Sequence, residues 1–313
     1  MVSASYGYGE SEMWSVDRIP CTIGVMAYNE ASNIGRLLEA IARQEQRKAW
    51  IKEVIVVASG CTDNTQPIVE SCRTLDPRIT LVVQPRREGK TSAINLFIAR
   101  ASSEVLVMES ADTIPLPNTI DRLVMPFTNP DIGMVGGHPI PVNNRDTFIG
   151  FVGHLVWQLH HQLSLCHPKC GELVAWRNCF PGIPATPVDE ATIEAMVVAR
   201  GLKLAYAQEA MVYNCTPLTV AGFLRQRRRI WAGHLQMKRN WGYSVSTLSV
   251  KHVWRSLMAT MRWRPRFIAW TLAAAMLEQY ARFLGTLDIM VWRRDHTIWD
   301  VVESTKLVQH DLQ

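Results

Sequence analysis

Between residues 21 and 115 the chain switches repeatedly between two periodicities, and this restricts its fold more than any other feature. Residues 21–27, 53–59, 79–83 and 105–108 are short apolar runs rich in β-branched side chains, as buried strands are. Between them the apolar residues recur at helical spacing: Ile34, Leu37, Leu38 and Ile41, then Ile68 and Val69, then Ile94, Phe97, Ile98 and Ala101. Strands that alternate with helices form a parallel sheet, because a parallel connection needs a crossover. The predicted class is therefore α/β, a doubly wound, mostly parallel sheet.

Each predicted strand runs into a polar loop. Tyr28, Asn29 and Glu30 follow the first, with Ser32 or Asn33 placed to cap a helix. Residues 59–63 follow the second, with Asp63 or Asn64 as the next helix start. Arg86, Arg87, Glu88, Gly89 and Lys90 follow the third, and Glu109, Ser110, Ala111 and Asp112 follow the fourth. Open α/β sheets bind ligands at the carboxyl ends of their strands. There Glu30 and Asp63 can accept hydrogen bonds from a base or ribose, and Lys90 can meet phosphate. Asp112 can hold a divalent cation against phosphate oxygens. Singly, each residue is ordinary turn chemistry; their repetition at successive strand ends points to a nucleotide pocket. The chain has neither G-x-x-x-x-G-K-[ST] nor G-x-G-x-x-G opening the first helix, which sets aside a P-loop and dinucleotide chemistry.

Further on, residues 119–127 read as a helix, 132–142 as a strand pair or one bent strand, and 151–165 as an aromatic, His-rich helix. Pro181, Pro184 and Pro187 form a loop before Asp189 and Glu190, and a helix over 191–199 ends at Gly201. Adjacent carboxylates at a helix start complement its dipole; one of them can equally serve as a general base. From Pro217 the composition changes. Arg225, Arg227, Arg228, Arg229, Lys238 and Arg239 are followed by recurrent tryptophans, Trp254, Trp263, Trp270, Trp292 and Trp299 among them. Leu277, Tyr280, Leu284, Leu287 and Val291 predict an amphipathic helix. The guanidinium run can neutralise a departing diphosphate; a nucleic-acid or anionic-lipid patch is the competing reading. The expected organisation is a leader over 1–20, a nucleotide half over about 21–115, an acceptor half over about 116–216, and an Arg- and Trp-rich helical region over 217–313.

A net charge of +5 over 313 residues suits an anionic ligand or a membrane surface without choosing between them. The seven cysteines are odd in number and irregular in spacing, and no signal peptide precedes them, which argues for a reducing cytosol. Cys166 and Cys170 lie near His160, His161 and His167, yet no Cys-x-x-Cys accompanies them as a zinc site would require. No apolar run reaches the ~18–20 residues of a membrane span. The Trp-rich basic part can lie in a membrane interface, pack on the rest of the chain, or form a homo-oligomer face. A cytoplasmic location, either cytosolic or peripheral on the cytoplasmic membrane face, is the expectation.

Seven motifs occur in order: AYNE (27–30), SGCTDNT (59–65), REGK with Asn95 (87–95), SAD (110–112), GEL.A.R (171–177), DE (189–190) and QRRRIW (226–231). Together they resemble a family 2 glycosyltransferase with the GT-A fold. The resemblance implies inverting transfer of a sugar from a nucleoside diphosphate sugar, a UDP- or GDP-sugar, to an acceptor hydroxyl or other nucleophile. On it, Ala27, Tyr28, Glu30 and Ser59 meet the nucleoside and Lys90 the nucleotide. Ser110, Ala111 and Asp112 form the metal motif, with Asp112 binding Mg2+ or Mn2+. Glu190 takes the place of the catalytic base, with Asp189 just before it. Arg228, Arg229 and Trp231 correspond to the Q-x-x-R-W element that steadies the leaving group, although Ile230 intervenes. His160, His161 and Arg177 fall on the acceptor side.

The chain departs from the family pattern in three places. Ser110 replaces the first Asp of the D-x-D motif, Ala58 or Ser59 replaces an Asp after the second strand, and the base is Glu. The acceptor is left open among lipid, glycan and peptide, and no nucleic acid is expected. Two other readings stay open: a nucleotide-sugar-binding protein without turnover, and a basic lipid- or nucleic-acid-binding α/β protein.

Overall fold

A computed structural model describes residues 18–243, 257, 264–294 and 296–298. The predicted leader up to residue 17, and Trp254, Trp263 and Trp299, lie outside the described residues.

Strands β1 (Ile19–Ala27), β2 (Ala49–Ser59), β3 (Ile79–Gln84) and β4 (Val105–Ser110) pair in parallel in the order β3-β2-β1-β4. Helices α1 (Ile34–Ala42), α2 (Thr65–Leu75) and α3 (Lys90–Arg100) make the crossovers. The strand alternation decides the layers. Cys21, Ile23, Val25 and Ala27 of β1 pack with Ile34, Leu37 and Ile41 of α1 on one face of the sheet. Ile55, Val57, Leu106 and Met108 pack with Ile94, Phe97 and Ile98 of α3 on the other. A sheet covered on both faces needs apolar residues at both parities, which is why β2 and β4 read as continuous apolar runs.

The second half continues with β5 (Thr113–Pro115), α4 (Thr119–Val124), a 3-10 turn (Met125–Thr128), β6 (Ile132–Pro141), α5 (Phe148–Cys166), β7 (Val174–Arg177), α6 (Asp189–Val198) and β8 (Lys203–Asn214). Here the pairing is mixed. β7 runs antiparallel to β4 and β6, β6 runs parallel to β8, and β5 is antiparallel to β8. The sequence reading assigned no strand to β5, β7 or β8. β6 is one strand with a register shift between Gly136 and His138, which settles the choice between a strand pair and a bent strand. The first helix starts at Asn33 and α2 at Asn64, both without a side-chain cap; Asp63 Oδ1, one residue earlier, accepts from the Thr65 N–H at 3.0 Å.

Helices α7 (Val220–Trp241) and α8 (Pro265–Leu287), the latter ending in a π turn (Asp288–Trp292), close the described chain. Of the large residues predicted from its period, α8 half-buries Leu277, Leu284 and Leu287 and leaves Tyr280 exposed. It buries Thr271, Ala274, Ala281 and Gly285, and leaves Leu272, Met276, Tyr280 and Phe283 exposed. Small residues let α7 come close: a Cβ at Gly285 would lie 2.7 Å from the Arg228 carbonyl oxygen. Among the described residues no helix is long and apolar enough to cross a membrane.

Candidate active site

Register along the sheet brings the strand-end loops together. Met26 is opposite Ser110, Ala27 is opposite Ala58, and Ser59 is opposite Gln84. These loops open onto a cavity of about 940 Å³, whose wall includes Ala27, Tyr28, Glu30, Ser59, Lys90, Ser110, Ala111 and Asp112. On this wall the Arg87 guanidinium stacks over the Tyr28 ring, 4.2 Å from the centroid. The Ser59 hydroxyl donates to Gln84 Oε1 at 2.6 Å, and Glu30 Oε2 accepts from Asn33 Nδ2 at 3.2 Å.

Beyond β4 the wall is acidic. Glu109 is 1% exposed; Thr113 Oγ1 donates to its Oε1, and its Oε2 has no hydrogen-bond partner. Burial pushes the Glu109 carboxyl up to about 8, against the Thr113 hydrogen bond and with the Asp112 charge. Glu172, in the loop before β7, holds a left-handed backbone at φ 63° and lines the same cavity. Burial, then Asp112 and Glu190, push its carboxyl up to about 8, with Lys90 opposing.

The Glu109 shift has a testable sign. Between the ordinary value of 4.5 and about 8 the folded protein holds a proton that the unfolded chain has released, so stability falls as pH rises through that window. Glu109→Gln keeps the shape but cannot ionise. The loss of stability from about pH 5 to about pH 9, followed by melting temperature, should therefore be smaller in the variant, by on the order of 4 kcal/mol. Parallel slopes would mean that Glu109 does not titrate as described.

The carboxylate pair starts α6. Lys90, the first residue of α3, reaches between the two: its Nζ lies 2.6 Å from Asp189 Oδ2 and 3.2 Å from Glu190 Oε1. The Asp189 contact is a buried ion pair. Burial and then the Glu190 charge raise the Asp189 carboxyl. Burial works to raise Glu190 too, but the Lys90 charge and a backbone N–H outweigh it and hold that carboxyl low. Glu190 lines the cavity, whereas Asp189 lies behind it at 1% exposure. Arg229 donates to the Pro187 carbonyl at 2.5 Å and faces the charges of Asp189, Glu190 and Glu172, although burial pulls its guanidinium down to about 10.

Other expected site residues have different surroundings. Arg228 lines the cavity but pairs with Asp288 at 2.5 Å, and His296 meets the same carboxylate at 3.0 Å. The expected donor contact of Trp231 is corrected: its indole N–H donates to Thr286 Oγ1 at 2.9 Å, and Arg282 covers its ring, so it joins α7 to α8. The expected acceptor contact of Arg177 is also corrected. It pairs with Val105 at the amino end of β4, the edge away from Asp112, and donates to the carbonyls of Ile132, Phe127 and Asn129. His161 stacks on His138 at 4.1 Å, with Nδ1 2.8 Å from the Tyr206 hydroxyl, outside the cavity wall. His160, one residue earlier, does line it. Sequence reasoning gave no role to Glu109, Glu172, Lys169 or His234. Glu172 sits within the GEL motif, but its left-handed backbone had no sequence signal.

Among the described residues no group of three or more His, Cys, Asp or Glu side chains is arranged to hold a metal ion. Mg2+-type ions are usually held by one or two carboxylates together with substrate phosphates rather than by an all-protein cage. Asp112 fits that role. The mutual repulsion among Asp112, Glu172 and Glu109 is of the kind a cation relieves.

Residues 22–174 match the family model of glycosyl transferase family 2. Over 245 residues the chain is 25% identical to poly-β-1,6-N-acetyl-D-glucosamine synthase of Staphylococcus aureus, covering 72% of this chain and 57% of that protein. The chain thus spans little more than half the length of that relative. It is 28% identical over 114 residues to the glycosyltransferase AglE of Haloferax volcanii, covering 36% of this chain and 37% of that one. Among solved structures, a mannosyltransferase from Pyrobaculum calidifontis in complex with GDP-Man and Mn2+ has a TM-score of 0.61 at 20% identity, over 88% of each chain. Glucosyl-3-phosphoglycerate synthase from Mycobacterium tuberculosis, in complex with Mn2+, UDP and glucosyl-3-phosphoglycerate, has a TM-score of 0.51 at 19% identity, over 70% of this chain and 79% of that chain. These structures share the GT-A fold seen here, and over residues 22–174 the chain is similar in sequence to glycosyl transferase family 2.

Proposed function

We propose that the protein is an inverting glycosyltransferase that moves a sugar from a UDP- or GDP-sugar to an acceptor nucleophile. The reading is carried by one observation: Asp112, Glu190, Lys90 and the nucleoside-side loops line a single cavity, with Arg229 facing the carboxylates. The nucleoside lies against Tyr28, Glu30 and Ser59. Asp112 would hold Mn2+ or Mg2+, which supplies positive charge to the diphosphate. Lys90 and Arg229 hold phosphate oxygens as negative charge builds on the leaving group. Glu190 takes the proton of the acceptor nucleophile, which attacks the anomeric carbon from the side opposite the diphosphate. That direction of attack inverts the anomeric centre.

A screen of UDP- and GDP-sugars by thermal shift, with and without Mn2+, tests this reading. A donor present at about 100 times its dissociation constant stabilises by about 2.7 kcal/mol, a rise of about 5 °C for a protein of this size. The rise should require Mn2+, and the same donor should release nucleoside diphosphate on incubation. Binding without release, for every donor, would leave a nucleotide-sugar-binding protein without turnover.

A further inference from the structure

Asp112 offers a cation one carboxylate, and two residues before it the chain has only the hydroxyl of Ser110. Another carboxylate lies level with that serine. β4 and β7 pair antiparallel as far as Met108 opposite Val174. Ser110 and Glu172 each lie two residues beyond that last pair, and both line the cavity. A tight turn holds Glu172 there. The Leu173 N–H donates to the Gly171 carbonyl at 2.8 Å, and between them Glu172 has a φ of 63°. A three-residue turn with positive φ at its centre is the rare, strained form, and glycine would fill it more easily than glutamate. The chain keeps a carboxylate in a backbone state that disfavours it, as functional positions do.

The surroundings of Glu172 call for added positive charge. Of the charged groups that act on it, Asp112 acts most strongly, ahead of Glu190, Lys90 and Glu109. Lys90 and Arg229 face it as countercharges, but both also serve the carboxylate pair. Lys90 sits between Asp189 and Glu190, and Arg229 donates to the Pro187 carbonyl and faces the same two carboxyls. Near Asp112, Glu109 Oε2 and Asn214 Oδ1 are buried without a hydrogen-bond partner. Their residues are 1% and 3% exposed, and both line the cavity. Asn214 is paired with Thr113, the residue after Asp112. Buried polar atoms are nearly always satisfied, so these two mark a place where a polar group binds. Among several carboxyls, a hydrated cation is the group that satisfies such atoms and offsets the repulsion.

We propose that Glu172 is the second carboxylate of the divalent-cation site, acting with Asp112 in the place that Ser110 leaves open. The assignment rests on the glycosyltransferase reading above and names a further residue of its donor site. A cation there would take two protein carboxylates, with its other oxygens from the diphosphate and water. That number agrees with the lack of a three-ligand group among the described residues.

The test is direct Mn2+ binding to the full chain with UDP or GDP present, read from loss of the free-ion electron paramagnetic resonance signal. Glu172→Gln should weaken Mn2+ binding by about 10–100-fold or more, since losing a residue that merely supports a ligand already costs that much. Glu172→Gly suits the positive φ, so its metal-free melting temperature should not fall, yet it should lose Mn2+ affinity as Glu172→Gln does. Adding Ser110→Asp to Glu172→Gln should restore most of the affinity. A double variant as weak as Glu172→Gln would overturn the exchange between the two positions. Unchanged affinity in both Glu172 variants, beside loss in Asp112→Asn, would remove Glu172 and leave the Asp112 site standing. No Mn2+ binding by the unmutated chain with either nucleotide would remove the ion itself, and with it the metal part of the glycosyltransferase reading. Where Glu172→Gln fails to fold, Glu172→Gly decides.

Discussion

Glu190→Gln is expected to leave the protein folded and able to bind its donor while slowing sugar transfer by about 10²–10⁴-fold, the usual contribution of a general base. Of the two carboxylates, Glu190 is the one on the cavity wall, whereas Asp189 sits behind it at 1% exposure. Lys90 touches both, and its charge keeps Glu190 ionised against the effect of burial. A Gln in that place still offers an oxygen to Lys90 but cannot take a proton. Asp189→Asn should act differently. It weakens the ion pair that fixes Lys90, so it should lower stability and donor affinity together, because a buried charge losing its partner costs about 3–5 kcal/mol. Single-turnover transfer measured beside donor affinity separates the two. If Asp189→Asn alone stops transfer while Glu190→Gln still turns over, the roles are exchanged.

Asp112→Asn should abolish the effect of Mn2+ on donor binding. The side chain keeps its size and one oxygen but loses the charge that makes it a ligand for a hard cation. Charge stabilisation by a metal is worth several kcal/mol, so donor affinity in Mn2+ and the transfer rate should each fall by about 10²–10³-fold. Donor affinity in a chelator should not change. The same variant should also lower the Glu109 and Glu172 carboxyls, since the Asp112 charge helps raise both. Retention of full Mn2+-dependent affinity would remove Asp112 from the metal site.

The nucleotide side was legible in the sequence because each of its residues follows a strand whose period is plain. Once Val25 is opposite Glu109 and Ala27 is opposite Ala58, the loops after β1, β2 and β4 have no choice but to meet. The second half was less legible for a physical reason. β8 is half exposed along most of its length, so no apolar run marks it, and β5 is three residues ending in proline. The residues whose surroundings the motifs did not announce are those whose partners come from elsewhere in the chain. Arg177 is held by carbonyls near residue 130, Trp231 by Thr286, and Arg228 by Asp288, which is fully buried. Nothing local to those residues announces the partner. The large residues of α8 misled for the opposite reason: a clear apolar period was present, but contact with α7 selects the small side chains.

The Arg228–Asp288 pair bears on how such a chain can diverge or be recombined. Composition breaks at Pro217, as though a separate module were appended there, yet α8 supplies the countercharge to a guanidinium on the cavity wall. A chimera that takes everything after α7 from a relative would leave that cation unmatched on the cavity wall, and any larger residue at Gly285 would push the two helices apart. The sequences of α7 and α8 are therefore bound to drift as one unit.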